Sequence, residues 1–239
     1  MSNTEELAEK NLRALQQNPY PGRGLVIGRN GSGEMVFVYW IMGRSPESRN
    51  RVFLAEGKRL YTDYADSSKK SDDPNIIYNA MDENPSICVV SNGHQTDALI
   101  AGFEKSIRLK DILACWDHEG AKASYTPRIS GMTSKLGKNP QVRISLIRKT
   151  LTGEESDRFL FEYHDIPRGF GYCITTYTGD GNPLPTFNGV PYLVPIIGTQ
   201  QQIAESFWSA LNESNRVALA VNVINSDAPI LIINKYNQV

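Results

Sequence analysis

Eight consecutive apolar residues, Met35-Val36-Phe37-Val38-Tyr39-Trp40-Ile41-Met42, constrain this chain more than any other stretch. A strand with one wet face alternates apolar and polar residues with a period of two. This run does not alternate, so both of its faces need cover, and it belongs at the centre of a sheet with a layer on each side. It is far too short to cross a bilayer as a helix, which takes about 20 residues. Leu25-Val26-Ile27-Gly28-Arg29 precedes it as a second strand, and Asn30-Gly31-Ser32-Gly33 joins the two as a hairpin turn.

Other segments follow the same logic. A hairpin is predicted over residues 52–56 and 60–64, around Gly57-Lys58, and a short buried strand over 87–90. Residues 142–149 and 158–164 alternate, the latter through Phe159, Phe161 and Tyr163, and residues 171–177, 217–224 and 229–233 complete the strands. Helices are predicted over residues 4–17, capped by Thr4; over 96–104, capped by Thr96 or Asp97; over 106–116; and over 200–212. Residues 65–75 read as a polar surface loop, and the Gly- and Pro-rich residues 179–191 as an irregular loop packed onto the protein. Strands in antiparallel hairpins, with helices grouped apart from them, indicate an α+β protein and not alternating βαβ units. Two sheets covered by helices suit the fully apolar strands. There is no internal repeat and no linker, so residues 1–239 are expected to form one domain, with residues 1–22 as an N-terminal helical extension packed on it.

Twenty-five basic residues against 26 acidic ones give a formal net charge of −1. That balance offers no bulk attraction for nucleic acid or an anionic membrane, so an anion site would have to be local. Cys88, Cys115 and Cys173 are far apart in apolar contexts and read as buried free thiols of a reducing compartment. No apolar h-region follows the acidic start, and a cytoplasmic protein is expected. Asp66, Asp72 and Asp73 lack the spacing of a metal loop, and no metal is expected there.

Three polar segments carry candidate chemistry. Gly43-Arg44-Ser45 with Ser48-Arg49-Asn50-Arg51 leaves the apolar strand abruptly; it is either a solvated loop or a phosphate clamp, since the guanidinium fork matches phosphate oxygens. Ser91-Asn92-Gly93-His94-Gln95-Thr96-Asp97 packs polar residues where a strand meets a helix; it is either a capped turn or a site for an anionic group at unpaired N–H groups. Asp117-His118-Glu119 is either a solvated helix end or general acid–base machinery.

Taken in order with Tyr78-Asn79, Thr126-Pro127-Arg128-Ile129 and Asp180-Gly181-Asn182-Pro183-Leu184-Pro185, these segments resemble the archaeal-type IMP cyclohydrolase family from about Gly24 to the C-terminus. The resemblance implies a four-layer αββα sandwich similar to N-terminal-nucleophile hydrolases. It implies closure of 5-formamidoimidazole-4-carboxamide ribonucleotide to IMP with loss of water, in purine biosynthesis, without a cofactor. By motif position it implies Tyr78, Glu119 and Asn92 as catalytic residues, with Glu119 as general base or acid. It implies Arg44, Arg49, Asn79, Gly93 and Arg128 as substrate-binding residues, with Arg51 less certain. The expected partners are the purine-precursor ribonucleotide and IMP, together with a second copy of the chain where strand edges pair. His94-Gln95 departs from the family pattern, and the N-terminal helix and the charged segment near residues 65–75 are additions to it. The alternatives are a nucleotide-binding protein without turnover and an amidohydrolase on the same scaffold.

Overall fold

The computed structural model describes residues 2–120, 125–136 and 141–238. Its elements, in order, are α1 (Asn3–Gln17), β1 (Gly24–Arg29), β2 (Met35–Met42), α2 (Pro46–Arg49), β3 (Val52–Glu56), β4 (Arg59–Asp63), β5 (Asn79–Glu83), β6 (Ile87–Ser91), α3 (Gln95–Glu104), α4 (Leu109–Leu113), β7 (Arg128–Ser134), β8 (Val142–Lys149), β9 (Ser156–Tyr163), β10 (Phe170–Thr175), β11 (Tyr192–Pro195), α5 (Gln200–Ala210), β12 (Arg216–Val223) and β13 (Leu231–Asn234). They form an α+β protein with two antiparallel sheets. One has the order β11-β10-β1-β2-β12-β13 and the other β3-β4-β5-β6-β7-β8-β9.

The unbroken apolar run behaves as its composition requires. All eight residues of β2 are buried, between β1 and β12. Phe37, Tyr39 and Ile41 face a core shared with the second sheet, through Met81, Val90, Ile129 and Ile144. Val36, Val38, Trp40 and Met42 face the other way, onto Leu12 and Leu15 of α1 and Ile203 and Phe207 of α5. A third cluster covers the far face of the second sheet, where Leu99 of α3 and Ile112 and Leu113 of α4 pack on Val89, Met132 and Ile147. No helix among the described residues is long and apolar enough to cross a membrane.

Several local expectations change. Ser2, not Thr4, caps α1, in a capping box with Glu5. The predicted helix over residues 106–116 is only Leu109–Leu113: Ser106, with a φ of 57° in the left-handed region, closes α3 and delays the start of α4, and α4 stops after Leu113. Ile107 is left exposed, and so is Cys115, which was expected to be buried. Helix α3 starts one residue before Thr96, and His94 occupies its cap position without a capping side-chain bond, so neither Thr96 nor Asp97 is the N-cap. The charged segment after β2 holds a short helix opened by Ser45-Pro46. Strand β11 falls in a stretch assigned to no element, because only four residues pair there. Of the loop read at residues 123–127, residues 123 and 124 lie outside the described residues.

Candidate active site

A cavity of about 470 Å³ opens where β2 and β10 end and β1, β3 and β7 begin. That is within the range of about 300–1,000 Å³ usual for small-molecule sites. Three arginines (Arg23, Arg44 and Arg51) reach its wall, together with Tyr20, Thr126, Tyr177 and Glu119. Residues of the polar segment before β5, Asp72, Asp73 and Asn75 among them, form part of its rim, so the predicted surface loop is also a wall.

Glu119 is the buried acid of the site, 6% exposed. Its main-chain N–H donates to the Thr126 carbonyl at 2.9 Å, and the Thr126 hydroxyl lies 2.6 Å from that of Tyr177. The two carboxylate oxygens differ. Oε2 accepts from Arg23 Nη2 at 2.7 Å. Oε1 is buried without a hydrogen-bond partner among the described residues; Arg128 Nη1 is 3.8 Å away. Burial opposes the charge on Arg23, but Glu119, with smaller contributions from Tyr78, Tyr177 and Tyr39, outweighs it and holds the guanidinium firmly protonated.

Arg51 is a different kind of cation. It is 3% exposed and has no carboxylate partner among the described residues. It donates only to main-chain carbonyls, from Nε to Ser48 at 2.9 Å and from Nη2 to Met42 at 3.1 Å. Burial lowers its pKa; Tyr78 opposes this, nearby Arg23 adds to the lowering, and Tyr39 and Tyr20 oppose it more weakly. A buried charge left without a counter-charge is costly, and an anion entering the cavity would relieve it. Arg44, at the more open side, is tied to Asp180, donates to the Gly181 carbonyl at 2.9 Å and lies over the Tyr20 ring.

Arg44 and Glu119 therefore line the cavity, and Gly93 and Arg128 stand one contact behind Glu119. A Cβ at Gly93 would sit 2.8 Å from both Arg128 Nη1 and Gln95 Oε1, so glycine is what lets these groups meet. Asn92 is fully buried and clamps β6 to β7: its Nδ2 donates to the Pro127 carbonyl and its Oδ1 accepts from the Ile129 N–H, both at 2.8 Å. Tyr78 is buried with its hydroxyl 2.7 Å from that of Tyr39, where burial and Tyr78 push the Tyr39 pKa up. Arg49 and Asn79 lie off the cavity wall. Arg49 pins Gly43 and Asn215, and Asn79 donates to Asp97. Arg23 and Tyr177 were not singled out from the sequence, and Gln95 was marked only as part of the departure from the family pattern, with no role; the one signal for Arg23 is its place between Gly22 and Gly24 at the mouth of a buried strand. Among the described residues, no group of three or more His, Cys, Asp or Glu side chains could hold a metal ion.

An arginine-lined pocket with one buried, half-free carboxylate, where strands of two antiparallel sheets end and begin, offers cations to a small anion and a carboxylate oxygen to a proton. The chain belongs to the IMP cyclohydrolase-like protein family, which it matches over residues 20–228, from just after α1. It is 33% identical over 122 residues to the IMP cyclohydrolase of Methanocella arvoryzae, covering 48% of this chain and 58% of that protein. It is 28% identical over 165 residues to the IMP cyclohydrolase of Methanosphaera stadtmanae, covering 65% of this chain and 80% of that protein. The alignment thus spans less than two thirds of the first relative's length.

Proposed function

We propose that this protein is an IMP cyclohydrolase, closing 5-formamidoimidazole-4-carboxamide ribonucleotide to IMP with loss of water. The observation that carries this reading is the pairing, in one cavity, of Arg51 and Glu119, the first without a counter-charge and the second with one oxygen unbonded among the described residues. The ribonucleotide's phosphate supplies the missing anion, with Arg51 and Arg44 as its donors. The carboxamide is a poor nucleophile, and Glu119 Oε1 accepts its proton as the nitrogen attacks the formyl carbon. Arg23, on the cavity wall, stabilises the developing oxyanion, with Tyr78 buried behind the lining against Tyr39. Glu119 returns the first proton to that oxygen, giving a hydroxyl; it then takes the formamido N–H proton and passes it to the hydroxyl, so that the C–N double bond forms, the C–O bond breaks and water leaves. Nucleophile and electrophile belong to one molecule, so holding them in a reactive pose is a large part of the acceleration.

The layers also support this reading. Helices outside each sheet and an apolar core between the sheets suit a four-layer αββα sandwich of the N-terminal-nucleophile type. One core drawing on residues from Leu25 to Ile230 suits a single domain over 1–239. The purified protein is expected to convert the formamido ribonucleotide to IMP, followed by ultraviolet absorbance. Glu119→Gln should lower turnover by ~10²–10⁴ while IMP still binds. Tight IMP binding without any turnover by the wild type would instead make this a nucleotide-binding protein.

A further inference from the structure

Gln95 is fully buried directly behind the site, and its amide has only one possible orientation. Two groups of fixed polarity set that orientation. The Ile129 main-chain N–H can only donate, and it faces Asn92 Oδ1 at 2.8 Å. The Pro127 carbonyl can only accept, and it faces Asn92 Nδ2 at 2.8 Å. The Asn92 amide is therefore set. Its Oδ1 also faces the Gln95 amide at 3.1 Å, so Gln95 must present Nε2 there. That leaves Gln95 Oε1 pointing at Arg128, whose Nη1 donates to it at 3.1 Å.

Arg128 is held at two further points. Its Nε donates to the Asp117 carbonyl at 2.7 Å, and its guanidinium lies 5.0 Å from the centre of the Trp116 ring. The same Nη1 that Gln95 holds is the group 3.8 Å from Glu119 Oε1, beyond hydrogen-bond reach. Without that hold, nothing else on Nη1 competes with the carboxylate, and a charge-assisted bond to Glu119 would form. We propose that Gln95 is a positioning residue that restrains Arg128 from closing on Glu119, keeping Oε1 free to accept a proton. This inference rests on the cyclohydrolase reading for its catalytic meaning, though not for the geometry itself.

The charged and titratable groups that face Glu119 are Arg23 from the segment before β1, Arg128 from β7 and Tyr177 from the segment after β10. Its neighbour His118 turns away to Ser156. Gln95→Met removes the acceptor without removing the bulk. Arg128 then closes on Glu119 and stabilises its carboxylate, which makes it a weaker base. The acidic limb of kcat/KM should move to lower pH, and kcat should fall by about tenfold, at the lower edge of what one acid–base group contributes. In an Arg128→Met background, Gln95→Met should leave the limb where it is, because the group it acts through is gone. Gln95→Leu repeats the test should the methionine variant not fold. A titration of the Glu119 carboxyl carbon by NMR reads the same effect without turnover, so it stands even if the wild type proves inactive on the ribonucleotide. An unmoved titration in both Gln95 variants, or an equal shift with and without Arg128, would overturn the proposal.

Discussion

Arg51 offers two measurements that should move separately when it is changed to methionine. In the ligand-free protein its guanidinium is buried with no carboxylate partner among the described residues, and an effective desolvation cost of roughly several kcal/mol attaches to such a charge. Against this stand its two hydrogen bonds to the carbonyls of Ser48 and Met42. A hydrogen bond to a charged group returns about 1.5–3 kcal/mol, so the terms nearly cancel. Arg51→Met should therefore change ligand-free stability by less than about 2 kcal/mol. Binding has no such offset. Losing one charge-assisted contact to phosphate, about 1.5–3 kcal/mol, weakens IMP by roughly 10- to 150-fold. Calorimetric unfolding with and without IMP separates the two. With IMP at 100 times the wild-type Kd, linkage stabilises the wild type by about 2.7 kcal/mol, whereas a variant binding 100-fold more weakly gains only ~0.4 kcal/mol. If the variant lost more than about 4 kcal/mol without ligand and kept the full IMP-induced gain, Arg51 would be a structural strut and the phosphate seat would lie elsewhere.

Arg44→Ala should raise KM about tenfold with kcat nearly unchanged, since Arg44 stands at the open side of the cavity; its half-exposed pair with Asp180 should be worth no more than about 1 kcal/mol in a melt. Gly93→Ala puts a Cβ within 2.8 Å of Arg128 Nη1 and Gln95 Oε1, so steady-state kinetics should show a clear loss of kcat, with about 1–3 kcal/mol of overpacking cost in denaturant unfolding. An unchanged kcat there would show that the Gln95–Arg128 contact is catalytically irrelevant. His118, beside Ser156, has its pKa lowered first by burial and then by Lys149 and Arg128, against Asp117 and Glu154. The unfolded chain then binds the proton more tightly, so stability is complete above the ordinary value of 6.5 and declines as pH falls below it. In melts between pH 7.5 and 5.5, His118→Gln should remove a small part of that decline.

The strands were legible wherever burial left a pattern in the residue types. β2 announced two covered faces, and it has them, one toward the second sheet and one toward α1 and α5. The alternation of Phe159, Phe161 and Tyr163 marked β9 correctly. Failures came where few residues or special backbone decided the outcome. A four-residue strand such as β11 is below the length at which period-two alternation can be told from chance. The late start of the expected helix over residues 106–116 was set by one serine in the left-handed region, a conformation that residue type alone does not reveal. Cys115 followed that helix out to solvent.

The site was legible only as far as its groups cluster along the chain. Arg44, Arg51 and Glu119 stand in dense polar segments beside apolar runs, and that contrast drew attention to them. Arg23 stands alone between two glycines, 96 residues from the carboxylate it binds, and the two precede strands of different sheets, so only the packing of one sheet on the other brings them together. Gln95 was hidden for a different reason. An amide on the first turn of a helix reads as an ordinary exposed residue, and its meaning comes from a polarity chain running from Pro127 and Ile129 through Asn92 to Arg128. Each link was present in the segments Ser91-Asn92-Gly93 and Thr126-Pro127-Arg128-Ile129, but as separate motifs. The pairing of β6 with β7, with Ser91 opposite Ser130, sets Asn92 beside Pro127 and Ile129 and makes one network of them. Its output is the position of a guanidinium relative to a carboxylate oxygen. A substitution at Gln95 should therefore be read at Glu119, two strand ends away from the residue that was changed.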